Sequence, residues 1–346
     1  MHRRVLLVGI LVAIMAHPAM GQRKRLEVGD AAPGLDVKEW VKGEETGIAK
    51  GTPYVVEFWA TWCGPCRKSI PHLTELQHQY AEDDLRVIGV TGEEEIDKVK
   101  RFVRGQGNKM DYTVVQDNRN RTNSAWMRAA GQEGIPCAFI VDRNSNIQFI
   151  GHPMDPEFEE ILEGVVSGRF DAKMIKKGEP HRNAANNARK IKNWALWEKH
   201  SQDCVDIDEK VFAEVMLDRF EVLLLDRKLV DQAYAYAMEL AISQQDDPEF
   251  LTWVSTMIAQ DPRIPDADRR LDVAIMLATA ARANARAGDP RYLAAEAVVR
   301  FHNGEIDQAV DLQKQAYFRA TAKRKSRYLP ALESYKDARN LQASTG

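Results

Sequence analysis

The sequence predicts an α/β domain followed by an all-α domain, and three observations carry that reading. Tyr54 to Pro71, YVVEFWATWCGPCRKSIP, is a β-branched and aromatic run that turns at Gly64-Pro65 into a segment with Ile70, Leu73, Leu76 and Tyr80 at helical spacing. Strand-like and helix-like patterns then alternate from Leu85 to Val166. From about Trp194 onward strand signals vanish and alanine-rich helical patterns take over. At 346 residues the chain is too long for one ordinary domain, and its net charge of −3 gives no reason to expect a nucleic-acid partner.

The chain opens with His2, Arg3 and Arg4, an apolar run from Val5 to Met15, and small residues at Ala19-Met20-Gly21 before Gln22. These are the three parts of a secretory signal over 1–21. The apolar run falls short of the roughly 20 residues that span a bilayer, and His17 and Pro18 interrupt its end, so cleavage is expected. A retained anchor is the competing reading, and the mature chain meets a membrane only in that case. No cysteine lies near this end for lipid attachment. The expected location is extracytoplasmic, in the periplasm, where disulfides persist.

From Leu26, LEVGDAAPGLDVKEWVKGE reads as a loop and a short strand pair, with turn residues at Gly29-Asp30, Pro33-Gly34 and Gly43. Tyr54 to Phe58 is a buried-type strand. The following pattern gives strands at Leu85–Thr91, Tyr112–Val115, Cys137–Asp142 and Ile147–Ile150, the last two joined by a turn at Arg143–Asn146, and helices at Glu94–Arg104, Asn120–Ala130 and Glu157–Val166.

The chemistry lies in the Cys63-x-x-Cys66 pair. Four cysteines are too few for a disulfide scaffold, which leaves this pair free to react. Two cysteines at this spacing can bridge or ligate a metal, but no second pair is present, and His72 and His78 sit six apart on a helix that uses its apolar face for packing. No four-ligand zinc set is visible, and no metal is expected. Cys63 stands at a helix N-terminus, where unpaired N–H groups and the dipole favour a thiolate. Glu57, six residues earlier, has two readings: a buried carboxylate with a raised pKa suited to proton transfer, or an edge-strand side chain facing water.

The run Glu57-Phe58-Trp59-Ala60-Thr61-Trp62-Cys63-Gly64-Pro65-Cys66, with Pro71 inside the following helix, resembles the active site of thioredoxins. In that family a buried acidic residue matches Glu57 and a helix-kinking proline matches Pro71. Gly134-Ile135-Pro136, ahead of Ala138 to Asp142, resembles the family's cis-proline loop. With the export signal, these motifs resemble the TlpA/ResA-like thiol-disulfide reductases over roughly 26–170, and the helix and strand within Glu94–Val115 resemble that group's insert. The resemblance implies a thioredoxin-like domain, a central mixed sheet flanked by helices, and no cofactor beyond a redox-active Cys63–Cys66 disulfide. Catalysis is assigned to Cys63, Cys66 and Glu57, and substrate contact to Trp62, Gly64, Pro65, Ile135 and Pro136. The implied partners are disulfide-bearing exported proteins and an upstream thiol-disulfide electron donor. A repeat-based redox-sensing adaptor and a peroxiredoxin-like thiol peroxidase are the alternatives. The peroxidase pattern Pro-x-x-x-Thr/Ser-x-x-Cys is missing before Cys63.

Cys137 follows the proline where the family more often has threonine, and is either an accessory thiol near the pair or a small buried residue that packs like a hydrophobe. Cys204 reads as an incidental surface or packing thiol, and a bridge to Cys137 stays open. The boundaries follow as a thioredoxin-like domain over 22–170, a basic, polar linker over 171–192 broken by Gly178 and Pro180, and a helical domain over 193–346. There Asp206 and Glu209 look like a capping pair. Asp231-Gln-Ala233 and Asp307-Gln-Ala309 stand 76 positions apart, about two units of a repeat near 34 residues. With Leu293, Ala297, Gly304, Ala309 and Ala316 as the best unit, this half resembles tetratricopeptide repeats, helical hairpins that hold a peptide or protein; a plain bundle is the alternative. The basic run Lys323 to Arg327 is expected in a solvated turn.

Overall fold

The structure, a computed structural model, describes residues 25–321 and 324–345. The expected secretory signal lies outside the described residues. The chain divides between Ser167 and Gly168 into two compact units.

The first unit is built on β1 (Val37–Lys42), β2 (Tyr54–Phe58), β3 (Arg86–Thr91), β4 (Thr113–Asp117), β5 (Cys137–Val141) and β6 (Ile147–Gly151). The sheet order is β1-β4-β3-β2-β5-β6. β2 runs parallel to β3, and β3 to β4, whereas β5, β6 and β1 join antiparallel, so the sheet is mixed. β2 has a partner on both edges and layers on both faces, which is why YVVEF carries no polar alternation and is buried throughout. Tyr54, Val56 and Phe58 enter one apolar core with Val90, Trp126 and Phe139. Val55 and Glu57 point to the other face, because successive strand residues alternate.

That other face is covered by α1 (Cys66–Gln79), whose buried residues include Cys66, Ser69, Ile70 and Leu73. Pro71 lies inside this helix. The remaining helices of the unit are α2 (Ile96–Gln106), α3 (Arg121–Asn123) and α4 (Pro156–Ser167). The helix expected over Asn120–Ala130 is instead α3 continued by a wider, π-type turn over Ser124–Arg128 that buries Trp126 and Met127. The strand pair expected after Leu26 is also corrected. Only β1 forms, paired with β4, while Ala31 makes a single bridge to Asn146. Turn residues predicted a local hairpin, but the available edge belonged to a distant strand.

The second unit is all-α: α5 (Ala172–Lys190), α6 (Trp194–Ile207), α7 (Ala213–Glu221), α8 (Val230–Ser243), α9 (Pro248–Gln260), α10 (Leu271–Asn284), α11 (Pro290–His302), α12 (Ile306–Arg319) and α13 (Lys325–Thr345). The segment expected to be a linker is helix α5, capped by Asp171, whose carboxylate accepts from the Lys173 and Met174 N–H groups. It buries Gly178, Ala185 and Ala188 rather than large apolar residues, so composition concealed it. Gly178, read as a breaker, is required by packing: a Cβ there would stand 2.2 Å from Cζ of Phe212. Pro180 sits inside the helix as well. The capping pair expected at Asp206 and Glu209 does not form: Asp206 is within α6, α7 has no side-chain cap, and Asp208 accepts from the Lys210 and Val211 N–H groups in the turn between the two helices. Of the basic run, Lys325 to Arg327 open α13.

Candidate active site

Cys63 and Cys66 are joined by a disulfide at the point where β2 gives way to α1. The helix begins at Cys66, so Cys63 stands just ahead of it, and the Cys66 amide N–H points at Cys63 Sγ from 3.2 Å. A free backbone donor at a helix start is the contact that holds a sulfur anion when the disulfide opens. Both cysteines are themselves well covered, but Trp62 is 68% exposed, and Gly64 and Pro65 are exposed beside it.

Across from this rim, the Ile135–Pro136 peptide bond is cis. The Ile135 carbonyl oxygen lies 3.7 Å from Cys63 Sγ. Thus Trp62, Gly64, Pro65, Ile135 and Pro136 are brought together around Cys63, the residue on the accessible side of the pair.

Glu57 lies beneath, 0% exposed, which decides between its two readings in favour of the buried carboxyl. Loss of hydration lifts its pKa to about 7, against the opposing pull of the Ser69 and Tyr112 hydroxyls. Ser69 Oγ is 2.5 Å from Glu57 Oε1 and 3.0 Å from the Cys66 carbonyl oxygen. One hydroxyl proton serves one acceptor at a time. When Glu57 is ionised Ser69 donates to it; when Glu57 is protonated, the carboxyl donates to Ser69 and Ser69 turns to Cys66. The Tyr112 hydroxyl donates to Glu57 Oε2 at 3.3 Å, and burial together with the nearby carboxylate keeps that phenol from ionising.

The sequence analysis missed Ser69 and Tyr112, and also Glu93. Glu93 accepts from the Thr61 amide at 2.6 Å and the Thr61 hydroxyl at 2.7 Å, and pairs with Lys98 at 3.0 Å. Burial works to raise its pKa, but Thr61 and Lys98 outweigh it and hold the carboxylate below its usual range. Arg67 donates to the Thr61 carbonyl at 2.8 Å, so the turn carrying Trp62 is clamped from both sides. Ser69 was legible as the residue one turn after Cys66, whereas Glu93 was hidden in an acidic run that resembles a solvated loop.

Cys137 faces the apolar core on β5, opposite Phe58. Burial pushes its thiol up to about 12, which leaves it protonated and a poor nucleophile. Its place in the core accords with the reading of a small residue that packs like a hydrophobe. Cys137→Ala should destabilise the unit by about 1 kcal/mol and leave the exchange rate unchanged, as urea unfolding and a disulfide-reduction assay will report. Cys204 is also free and buried, not a surface thiol, with Sγ 3.8 Å from the Gly178 carbonyl oxygen.

Residues 28–150 match the family model described as the AhpC/TSA family. Over 178 residues the chain is 25% identical to the thiol-disulfide oxidoreductase ResA of Bacillus thuringiensis (strain Al Hakam), covering 48% of this chain and 99% of that protein. Protein FixW of Rhizobium leguminosarum is 27% identical over 155 residues, 42% of this chain and 69% of that protein. The N-terminal unit is a thioredoxin-like thiol-disulfide oxidoreductase domain. Among solved structures, the oxidoreductase domain is similar to a thiol:disulfide interchange protein, thioredoxin family protein, from Chlorobium tepidum TLS. Identity there is 26%, with a TM-score of 0.33 and coverage of 40% of this chain and 97% of the other. The residues matched by the family model all fall in the first unit, and the helical unit lies outside that match.

Proposed function

We propose that the protein is an extracytoplasmic reductase of disulfides in exported proteins, working through the Cys63/Cys66 dithiol, with the helical unit engaging the partner. The observation that carries this reading is the layered arrangement around the disulfide. Cys63 lies beside an exposed rim and the cis-proline loop, and a buried carboxyl with a pKa near 7 lies under Cys66. Extracytoplasmic residence rests on the N-terminal signal pattern; among the described residues no helix is long and apolar enough to cross a membrane.

In the reducing cycle the Cys63 thiolate attacks one sulfur of the client disulfide, and the other client sulfur leaves as a thiolate. Cys66 then loses its proton to the Glu57 carboxylate and attacks Cys63 Sγ. The Cys63–Cys66 disulfide forms and the second client sulfur departs as a thiolate. Two electrons have passed to the client, and an upstream dithiol donor restores the reduced pair. Gly64-Pro65 between the cysteines matches reducing members of the resembling family, which supports this direction.

The peroxidase alternative is disfavoured by two features. Ala60 stands where that pattern has Thr or Ser, three residues before Cys63, and the nearby Thr61 hydroxyl is committed to Glu93.

Cys66→Ser tests the proposal. A reductase variant that cannot resolve its intermediate should accumulate covalent complexes with exported clients, visible as thiol-sensitive bands. An adaptor should retain the same partners when both cysteines are replaced, and that outcome overturns the reductase reading. A reduction potential near that of strong periplasmic oxidants, about −120 mV, overturns the direction of transfer.

A further inference from the structure

We propose that the helical unit carries a divalent-cation site, with zinc as the fitting ion, formed by His181, His200 and Asp203. His181 stands on α5; His200 and Asp203 share one face of α6 at i and i+3. Their three potential ligand atoms form a nearly equilateral triangle. Asp203 Oδ2 is 3.1 Å from His181 Nδ1 and 3.3 Å from His200 Nδ1, and the two Nδ1 atoms are 3.4 Å apart.

Those edges match a coordination polyhedron. Zinc bonds to nitrogen and oxygen of about 2.0–2.1 Å at tetrahedral angles place neighbouring ligands about 3.3–3.4 Å apart. Octahedral angles with bonds of about 2.1 Å bring them to about 3.0 Å, shorter than every edge here. The two longer edges fit one face of a tetrahedron and the third is slightly shorter; all three side chains are partly exposed, which leaves room for a water as fourth ligand. Two imidazoles and a carboxylate are also the donor set that a borderline ion such as zinc accepts.

The site is held before any ion arrives. On one side Ala185 and Ala188 of α5 pack with Trp197 of α6 and Val222. On the other, Cys204 of α6 packs with Phe212 and with Met174 and Ile175 of α5. The two helices cannot slide apart without opening both clusters, so little ordering is left for the cation to drive. A bound ion would pin the α5–α6 pair. No metal was expected from the sequence, where a single Cys-x-x-Cys and His72 and His78 gave no four-ligand set; His181 and His200, 19 positions apart with only the first on the expected linker, have no fixed spacing in sequence.

The test uses the untagged full-length chain with Cys63–Cys66 oxidised, which removes that pair as a competing ligand. Calorimetric titration with zinc chloride should show one saturable equivalent, weakened at least tenfold in His200→Ala and in Asp203→Asn. Cobalt(II) should give the intense visible bands of a four-coordinate complex without a thiolate charge-transfer band. At a hundredfold excess of zinc over its Kd, the melting temperature should rise by about 5–10 °C in the wild type only. Failure to take up zinc, uptake unchanged in the variants, a weakly absorbing six-coordinate cobalt complex, or a thiolate band each overturns the proposal. Should a variant lose its helical circular dichroism, the wild-type cobalt spectrum still decides. None of these readouts depends on disulfide exchange, so the reductase reading stands or falls separately.

Discussion

Glu57→Gln should slow client reduction by about 100-fold at pH 7, the scale of a lost general base. It should also flatten the pH profile of the resolving step. In the wild type Glu57 accepts a proton only when ionised, and with its pKa raised to about 7 the rate should climb through that pH and level off above it. A single-turnover assay across pH 5 to 9 checks this; a variant that keeps the inflection would show that another group takes the Cys66 proton.

The same substitution has a stability consequence with a definite sign. The folded pKa of about 7 lies above the ordinary value of 4.5, so the native state binds the proton more tightly than the unfolded chain. Stability contributed by protonated Glu57 is complete below about pH 4.5, declines as pH rises through the interval, and is lost above about 7. At about 1.4 kcal/mol per pKa unit the loss amounts to about 3 kcal/mol. Glu57→Gln should therefore stabilise the oxidised domain at pH 8 by up to that amount and change little at pH 4. Urea midpoints at the two pH values give the comparison. A site group that weakens its own fold is better explained by chemistry than by packing.

Arg169→Ala should destabilise the helical unit by about 3 kcal/mol. The Arg169 side chain is 8% exposed, bonded to Asp247 at 2.5 Å and Glu249 at 2.7 Å, and its guanidinium lies 4.4 Å from the centroid of the Trp253 ring. Removing the cation strands the largely buried Asp247 carboxylate, a loss in the range of about 3–5 kcal/mol for a broken buried pair. The lower end applies because Asp247 keeps its cap on the Phe250 N–H at 3.0 Å and Glu249 retains access to water. Arg169→Lys keeps the charge but not the fork that reaches two carboxylates, so it should recover about half the loss. Thermal unfolding followed by circular dichroism distinguishes these cases. Equal melting temperatures for Arg169→Ala and the wild type would mean that water reaches the Asp247 carboxylate once the cation is gone, so that no buried charge is stranded.

The oxidoreductase domain was legible where local pattern and burial agree. The all-buried run of β2, the Cys-x-x-Cys entering α1 and the Gly-Ile-Pro loop are each short and contiguous, so each can be read within a single window of sequence even though the fold brings them together from far apart. Reading failed where the partner lay far away. The linker expected at 171–192 is a helix, and Gly178, read as a breaker, is there because Phe212 fills the space that a side chain would need; no window around Gly178 contains Phe212. Glu93 looked like a solvated charge until the Thr61 turn, 32 residues earlier, supplied its donors.

By itself the sequence determined which chemistry is available: a dithiol placed before a helix start, a carboxyl on the preceding strand, and a proline loop to complete the rim. Tertiary structure alone decided the fate of each polar group. Whether Glu57 met water or was sealed under α1, whether Cys137 could ionise, and whether His181 came within reach of His200 and Asp203 depend on desolvation and distance between separate elements, and neither is encoded in local spacing.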